Sequence, residues 1–235
     1  MREHMTRVRG KFFAFLLLTA LLFGICAFGA CYEGIPYERE ECDYQTITSA
    51  EQLFKMEETG AYRLAADIDL RGKNWTPKAV AAFDGGGHTI KNCVIATQSG
   101  NAAFFSEIRW LEDLTLENII VRAANASCAA IAAARIGYGK DCYIKNVTVR
   151  GCDLGVTKLS NSDLYAGALF GYAPLTDFQM SDSRAEYCGI DLWYASGDVY
   201  ASALFGAGWE GINDRVDRCS YSEVTIEHHD IGEER

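Results

Sequence analysis

Proline is scarce in this chain, and positive charge is in the minority. Only 3 of the 235 residues are proline, against 22 glycines, which argues against a proline-rich stalk. Lys and Arg number 22 and Asp and Glu 32, a formal net charge of −10, which argues against nucleic acid as a partner. Neither H-E-x-x-H nor G-x-S-x-G occurs. The sequence therefore indicates no catalytic residue, no metal site and no cofactor.

Residues 1–30 carry the pattern of an export signal. Four basic residues precede an apolar run over 12–30, as in a signal peptide. The run is also long enough for a retained membrane anchor. In either case the basic residues leave the rest of the chain outside the cytoplasm.

Two processing sites compete at the end of this signal. Small residues at 27 and 29 suit ordinary signal peptidase, whereas Phe28-Gly29-Ala30-Cys31 resembles a bacterial lipobox, in which Cys31 becomes lipidated. We expect the protein to contact a membrane only through this anchor or lipid.

The remaining chain divides into three parts. Residues 31–46 form a polar linker, 47–226 a repeat domain and 227–235 an acidic tail. His228 and His229 in this tail could hold a metal ion adventitiously, but a solvated tail is the preferred interpretation. Thr48 with Glu51, or Ser49 with Gln52, has the spacing of a capping box, which predicts a short helix at the N-terminal end of the domain.

The domain contains five similar segments, each with an apolar residue two positions before an Asn-like position. These positions are Asn92, Asn118, Asn146, Asp182 and Arg218, at spacings of 26, 28, 36 and 36 residues. A small, apolar segment also recurs, and the next Asn-like position follows its start by 16, 17, 15 and 16 residues. Each repeat thus has an arc of nearly constant length, from the small apolar segment to the next Asn-like position, and an arc of variable length that completes the repeat. This combination is typical of a solenoid. Because no helical period is present, the coils are predicted to be β-strands.

Asn92, Asn118, Asn146 and Asp182 are predicted to be bends. Asn and Asp tolerate left-handed backbone geometry, and Asn can bond to the same position one coil away. Cys152 and Cys188 each follow a bend by six residues. They should be near neighbours, either as stacked thiols or as a disulfide.

The variable arcs are the candidate binding region. The long arcs, 151–165 and 188–200, leave the same corner of adjacent coils and are expected to form one wall. These arcs and the segment that follows carry the aromatic residues Tyr165, Trp193, Tyr194, Tyr200 and Trp209. Such side chains suit stacking on sugar rings or contact with a protein partner. Alternatively, they pack the arms onto the coil.

Three segments resemble bacterial surface proteins with GLUG-type repeats. They are the opening Tyr62–Leu70, the segment Phe83–Ile90 that reads F-D-G-x-G-H-x-I, and the G-A-L-F-G core at 167–171. The resemblance covers about residues 45–226. It implies a short right-handed parallel β-helix, here of about five coils with an N-terminal capping helix, located on a bacterial cell surface and usually without catalytic activity.

The leading hypothesis is therefore an exported, non-catalytic surface module that binds a glycan or a surface protein. One alternative is a β-helix enzyme that cleaves polysaccharides, which a carboxylate cluster beside the arms would favour. A flat strip formed by Trp193 and Tyr194 would favour binding. Burial of both would favour a third hypothesis, a structural spacer.

Overall fold

Strands with alternating apolar and polar residues make up most of the chain. The computed structural model describes residues 43–137, 142–173, 178–208 and 215–231. Its single described helix, α1 (Ala50–Phe54), begins after Ser49, whose side chain accepts a hydrogen bond from the Gln52 amide. This N-cap confirms the short helix predicted from the capping box.

The described strands form three sheets, here named A, B and C, in which every pairing is parallel. Sheet A contains β1 (Gln45–Ile47), β2 (Ala61–Leu64), β5 (Lys78–Asp84), β8 (Phe105–Glu112), β11 (Ala133–Ile136), β12 (Cys142–Lys145), β16 (Phe170–Ala173), β17 (Phe178–Ser181), β20 (Phe205–Gly208) and β21 (Arg215–Asp217). Sheet B contains β3 (Ile68–Asp69), β4 (Asn74–Trp75), β6 (Thr89–Thr97), β9 (Thr115–Ala124), β13 (Thr148–Arg150), β14 (Asp153–Lys158), β18 (Arg184–Tyr194) and β22 (Ser220–Asp230). Sheet C contains β7 (Gly100–Ala102), β10 (Ala126–Ala130), β15 (Leu164–Gly167) and β19 (Val199–Ser202). The expectation of an all-β chain with parallel strands is confirmed.

From β5 onward the chain visits the sheets in a fixed order, A, then B, then C, and then returns to A. Each visit places a strand beside the one from the preceding round, so that β6, β9, β14 and β18 are successive neighbours in sheet B. The last strand, β22, pairs with β18 over its whole length and ends at Asp230. It therefore includes His228 and His229, which were expected in a solvated tail.

All four predicted bend positions have a positive φ, but they belong to two different bends. Asn146 and Asp182 lie at a first bend, between sheets A and B, where Asn146 Nδ2 donates to Asp113 Oδ1 at 2.7 Å. Asn92 and Asn118 lie at a second bend, within sheet B, where Asn118 Nδ2 donates to Asn92 Oδ1 at 3.3 Å. Each amide thus bonds to the same bend one round earlier.

The expected alignment of 116–121 with 144–149 is therefore wrong by five residues. Leu116 pairs with Val149, and Ile144 pairs with Leu111. The error has a local cause, because 111–113 (Leu-Glu-Asp) and 116–118 (Leu-Glu-Asn) repeat one pattern at the two bends. The other alignments of the Asn-like segments are correct: Ile90 pairs with Leu116, and Ile144 with Met180. The small apolar segments at 129 and 167 are one residue out of register, because Gly167 pairs with Ala130.

The interior is a stack of apolar side chains from all three sheets. Trp75 lies parallel to Phe104, with ring centroids 4.5 Å apart, and donates its indole N–H to the Phe104 carbonyl at 2.7 Å. Phe170 and Phe205, one round apart, stack at 5.0 Å. Fully burying each such side chain contributes about 1.5–3 kcal/mol. Within the residues described, no helix is long and apolar enough to cross a membrane.

Candidate functional site

The outer face of sheet B carries a surface groove. Strand alternation turns Val121, Leu154 and Ile190 inward, where they are buried. It turns their neighbours outward. The register places Arg122 beside Gly155 and Gly155 beside Asp191. One row across the sheet thus combines a cation, a residue without a side chain and an anion.

The groove has a volume of about 540 Å³. It is lined by Ala96, Thr97, Gln98, Arg122, Ala123, Ala124, Asp153, Leu154, Gly155, Val156, Thr157, Gly189, Asp191 and Trp193. Two glycines keep its floor low. A Cβ on Gly155 would lie 3.2 Å from Cδ of Arg122, and one on Gly189 would lie 3.0 Å from Oδ1 of Asp153. Larger residues there would fill the space between the flanking side chains.

Trp193 forms one end of this groove. Its ring stacks on the imidazole of His229, with centroids 4.0 Å apart and an interplanar angle of 15°. The side chain nevertheless remains 43% exposed. The indole is held in a fixed orientation by a rigid sheet and still presents apolar surface to a ligand.

Polar groups lie beside the imidazole that stacks on Trp193 and across the groove from it. His229 Nε2 lies 3.0 Å from Oδ1 of Asp191 and 3.7 Å from Oε2 of Glu227. One ligand-type atom from each of these three residues lies within 4.8 Å of the other two. Arg122, at the opposite side of the groove, donates from Nη1 to the Val121 carbonyl at 3.0 Å. The groove therefore offers hydrogen-bonding groups beside an aromatic platform.

The other predicted aromatic residues are not part of this groove. Tyr165 and Tyr200 lie on neighbouring strands of sheet C and stack on each other at 5.1 Å, and Tyr165 also contacts Tyr172 at 4.6 Å. Tyr194 follows Trp193 in β18 and points to the opposite face, where it meets His228 edge-on at 6.4 Å. Trp209 lies outside the described residues.

The two predicted arms lie side by side, because β14 pairs with β18 and β15 with β19, but they are mostly strands of the sheets rather than projecting arms. Most of 151–165 and 188–200 is regular strand of sheets B and C, and only 159–163 and 195–198 connect strands as loops. These two loops bond to each other, for example through Ser196 Oγ and Asn161 Oδ1 at 2.6 Å. The alignment error accounts for five of the ten residues by which 146–167 exceeds 118–129.

Cys152 and Cys188 lie one above the other, as expected, and both are free, buried thiols. The amide of Gly189 donates to the Cys152 carbonyl at 3.0 Å, which fixes this register. The hydrogen bond to Cys188 and burial both raise the pKa of the Cys152 thiol above its ordinary value. The pair is a structural element of the core. Cys31, the candidate lipidation site, lies outside the described residues.

Several groove residues were not anticipated from the sequence, namely Arg122, Asp153, Gly155, Gly189, Asp191, Glu227 and His229. The signal that could have found them is the row Arg122, Gly155, Asp191 and Glu227. This row is recognised only when Asn118 is aligned with Gly151 rather than with Asn146. The wrong alignment placed Arg122 beside Arg150.

Comparison with known proteins identified no relative of this chain. No protein-family model matches the chain, and neither a curated protein nor a solved structure matches it.

Proposed function

We propose that this chain is an exported cell-surface protein that binds a glycan through the groove on sheet B. In this proposal the three parallel sheets are the walls of a right-handed parallel β-helix of about five coils, capped by α1. The fixed A–B–C order of the strands supports the helix. The basic and apolar segment at 1–30 and the resemblance to GLUG-type surface proteins support export to a cell surface.

The observation that carries the proposal is the exposed ring of Trp193 at the end of a glycine-floored groove. Sugar rings present C–H faces that stack on aromatic rings, and their hydroxyls need directional polar partners. Trp193 supplies the aromatic ring, while Arg122, Asp153 and Asp191 line the same groove and supply the polar partners. Because the backbone is fixed by parallel pairing on both sides, the groove needs little ordering when a ligand binds.

The charges of the groove narrow the class of glycan. Asp153 and Asp191 line the groove with a single cation, Arg122, and Glu227 lies beside it. Carboxylates placed opposite each other repel at these distances. The ligand that fits is therefore a neutral or amino-sugar glycan, and a uronic-acid polymer is disfavoured.

A glycan-array screen of the purified full chain tests the proposal. We expect binding to neutral or amino-sugar glycans that is lost in Trp193→Ala. The matched control is Tyr200→Ala, because Tyr200 is similarly exposed, at 42%, but lies on sheet C. A folded protein with a blank array would contradict glycan binding and would favour a protein partner or the spacer hypothesis.

One observation favours a second candidate, a polysaccharide-cleaving enzyme. Asp191 and Glu227 each place a carboxylate oxygen within 4.8 Å of the other, a separation just short of the roughly 5–5.5 Å that retaining glycosidases use and too short for an inverting one. Against it, these side chains are 52% and 68% exposed, whereas a general acid gains its raised pKa by burial. Release of reducing ends from a bound glycan, abolished in Glu227→Gln, would establish the enzyme in place of the binding module.

A further inference from the structure

Three metal-ligating side chains converge at the edge of the groove. Asp191 lies on β18, and Glu227 and His229 lie on β22. The register pairs Asp191 with Glu227 and Trp193 with His229. Since Glu227 and His229 are two residues apart on one strand, they share a face. The arrangement is built by regular strand pairing and does not depend on a loop.

The distances suit a single small cation. Two ligand atoms bound tetrahedrally to Zn²⁺ at 2.0–2.1 Å lie about 3.4 Å apart. His229 Nε2 lies 3.0 Å from the Asp191 oxygen and 3.7 Å from the Glu227 oxygen. These two separations bracket that value, and the Asp191 and Glu227 oxygens lie within 4.8 Å of each other, so the carboxylates would have to turn toward the imidazole to hold the ion.

The donor set selects the type of ion. Calcium and magnesium take oxygen ligands, whereas an imidazole nitrogen favours zinc and neighbouring transition metals. Two carboxylates neutralise a divalent charge, and a fourth position stays open to solvent or to a ligand. Trp193, stacked on the imidazole at 4.0 Å, restricts the rotation of the ring. The ligand nitrogen is thereby held toward the carboxylates.

We propose that Asp191, Glu227 and His229 bind one divalent transition-metal ion, with Zn²⁺ the best match to the donors. The inference stands on these three residues and does not require the groove to bind a glycan. If the groove does so, the ion would lie beside Trp193, where its open position faces the same surface.

Isothermal titration of the chelator-treated full chain with Zn²⁺ alone tests the site, with the Co²⁺ absorption spectrum as a second readout. We expect a saturable site with one equivalent per chain and a Co²⁺ band typical of nitrogen and oxygen ligands. His229→Gln and Asp191→Asn should each weaken binding at least tenfold. Circular dichroism will show whether each variant is folded.

Two control variants separate this site from other histidines. His228→Gln alters the adjacent residue on the opposite face and should leave binding unchanged. His88→Gln alters a histidine whose Nδ1 lies 3.1 Å from Asp67 Oδ1; it should likewise have no effect. Absence of a saturable site, binding that persists in folded His229→Gln, or an equal loss in His228→Gln would each overturn the proposal.

Discussion

Replacing Gly171 with alanine should destabilise the fold at the corner where sheets C and A meet. Gly171 is the last residue of the G-A-L-F-G core, and its φ is not in the left-handed region, so backbone strain is not the cause. A Cβ there would lie 2.7 Å from the Ala134 carbonyl oxygen and 3.0 Å from both the Ala129 nitrogen and the Tyr165 oxygen. All three are backbone atoms in strands that cannot move independently.

The expected cost follows from these distances. Ordinary contact begins at 3.4 Å, so the Ala134 backbone would have to move by about 0.7 Å. Overpacking of this kind typically costs about 1–3 kcal/mol. Alanine regains about 0.5–1 kcal/mol over glycine in a strand, and each kcal/mol lowers Tm by about 2–4 °C for a chain of this size, so Gly171→Ala should lower Tm by up to about 10 °C. Thermal unfolding followed by far-UV circular dichroism measures it.

The matched control is Gly155→Ala. Its Cβ would meet only the flexible side chain of Arg122, at 3.2 Å from Cδ, and alanine gains about 0.5–1 kcal/mol over glycine in a strand. We therefore expect a Tm at or slightly above that of the unmodified protein. If Gly171→Ala is as stable as Gly155→Ala, the close approach of the two sheets is not as described here and the reasoning fails.

Three further predictions concern the bends and the core. Asn146→Ala should lower the free energy of unfolding measured in urea by about 1–2 kcal/mol, because alanine is strained at positive φ and loses the bond to Asp113. Asn146→Gly should lower it less, since glycine tolerates positive φ. Equal losses in the two variants would contradict the role of the bend. The hydrogen bond from Arg218 lowers the pKa of Asp182. The ionised carboxylate of Asp182 therefore stabilises the folded state fully above about pH 4–5, and this stabilisation is lost as the pH falls further. Asp182→Asn should consequently show a weaker loss of stability on acidification. Burial raises the pKa of Cys93 to about 12, so this thiol should resist alkylation at pH 8 until the protein unfolds, and mass-spectrometric labelling of the native chain would contradict its burial.

The sequence was sufficient to predict an all-β chain with parallel strands because the determining signals are local. The Asn-like residues really do adopt positive φ, and the strand alternation around them is read directly from apolar spacing. The alignment between rounds is not local. Two bends five residues apart carry the same pattern, and nothing in 111–118 tells which one faces Asn146. The pairing between rounds resolves this, since Thr148 pairs with Thr115 and Asn146 bonds to Asp113.

The candidate site depended on that alignment, which explains what was missed. Trp193 could be proposed from its residue type alone. His229, which stacks on it, and Arg122, which lines the same groove, come from strands that are distant in sequence, and they share this surface only when each round is in register. His229 appeared to belong to a polar tail because the acidic residues around it resemble one, although pairing with β18 makes it part of the sheet.

The most direct test of the account is the affinity of the best-binding array glycan for three forms of the full chain, measured by isothermal titration. We predict that Trp193→Ala weakens binding about tenfold or more, a change of at least about 1.4 kcal/mol. Tyr200→Ala should leave the Kd within about twofold of the unmodified protein. Equal affinities for the unmodified chain and Trp193→Ala, or a loss confined to Tyr200→Ala, would contradict the assignment of the groove on sheet B.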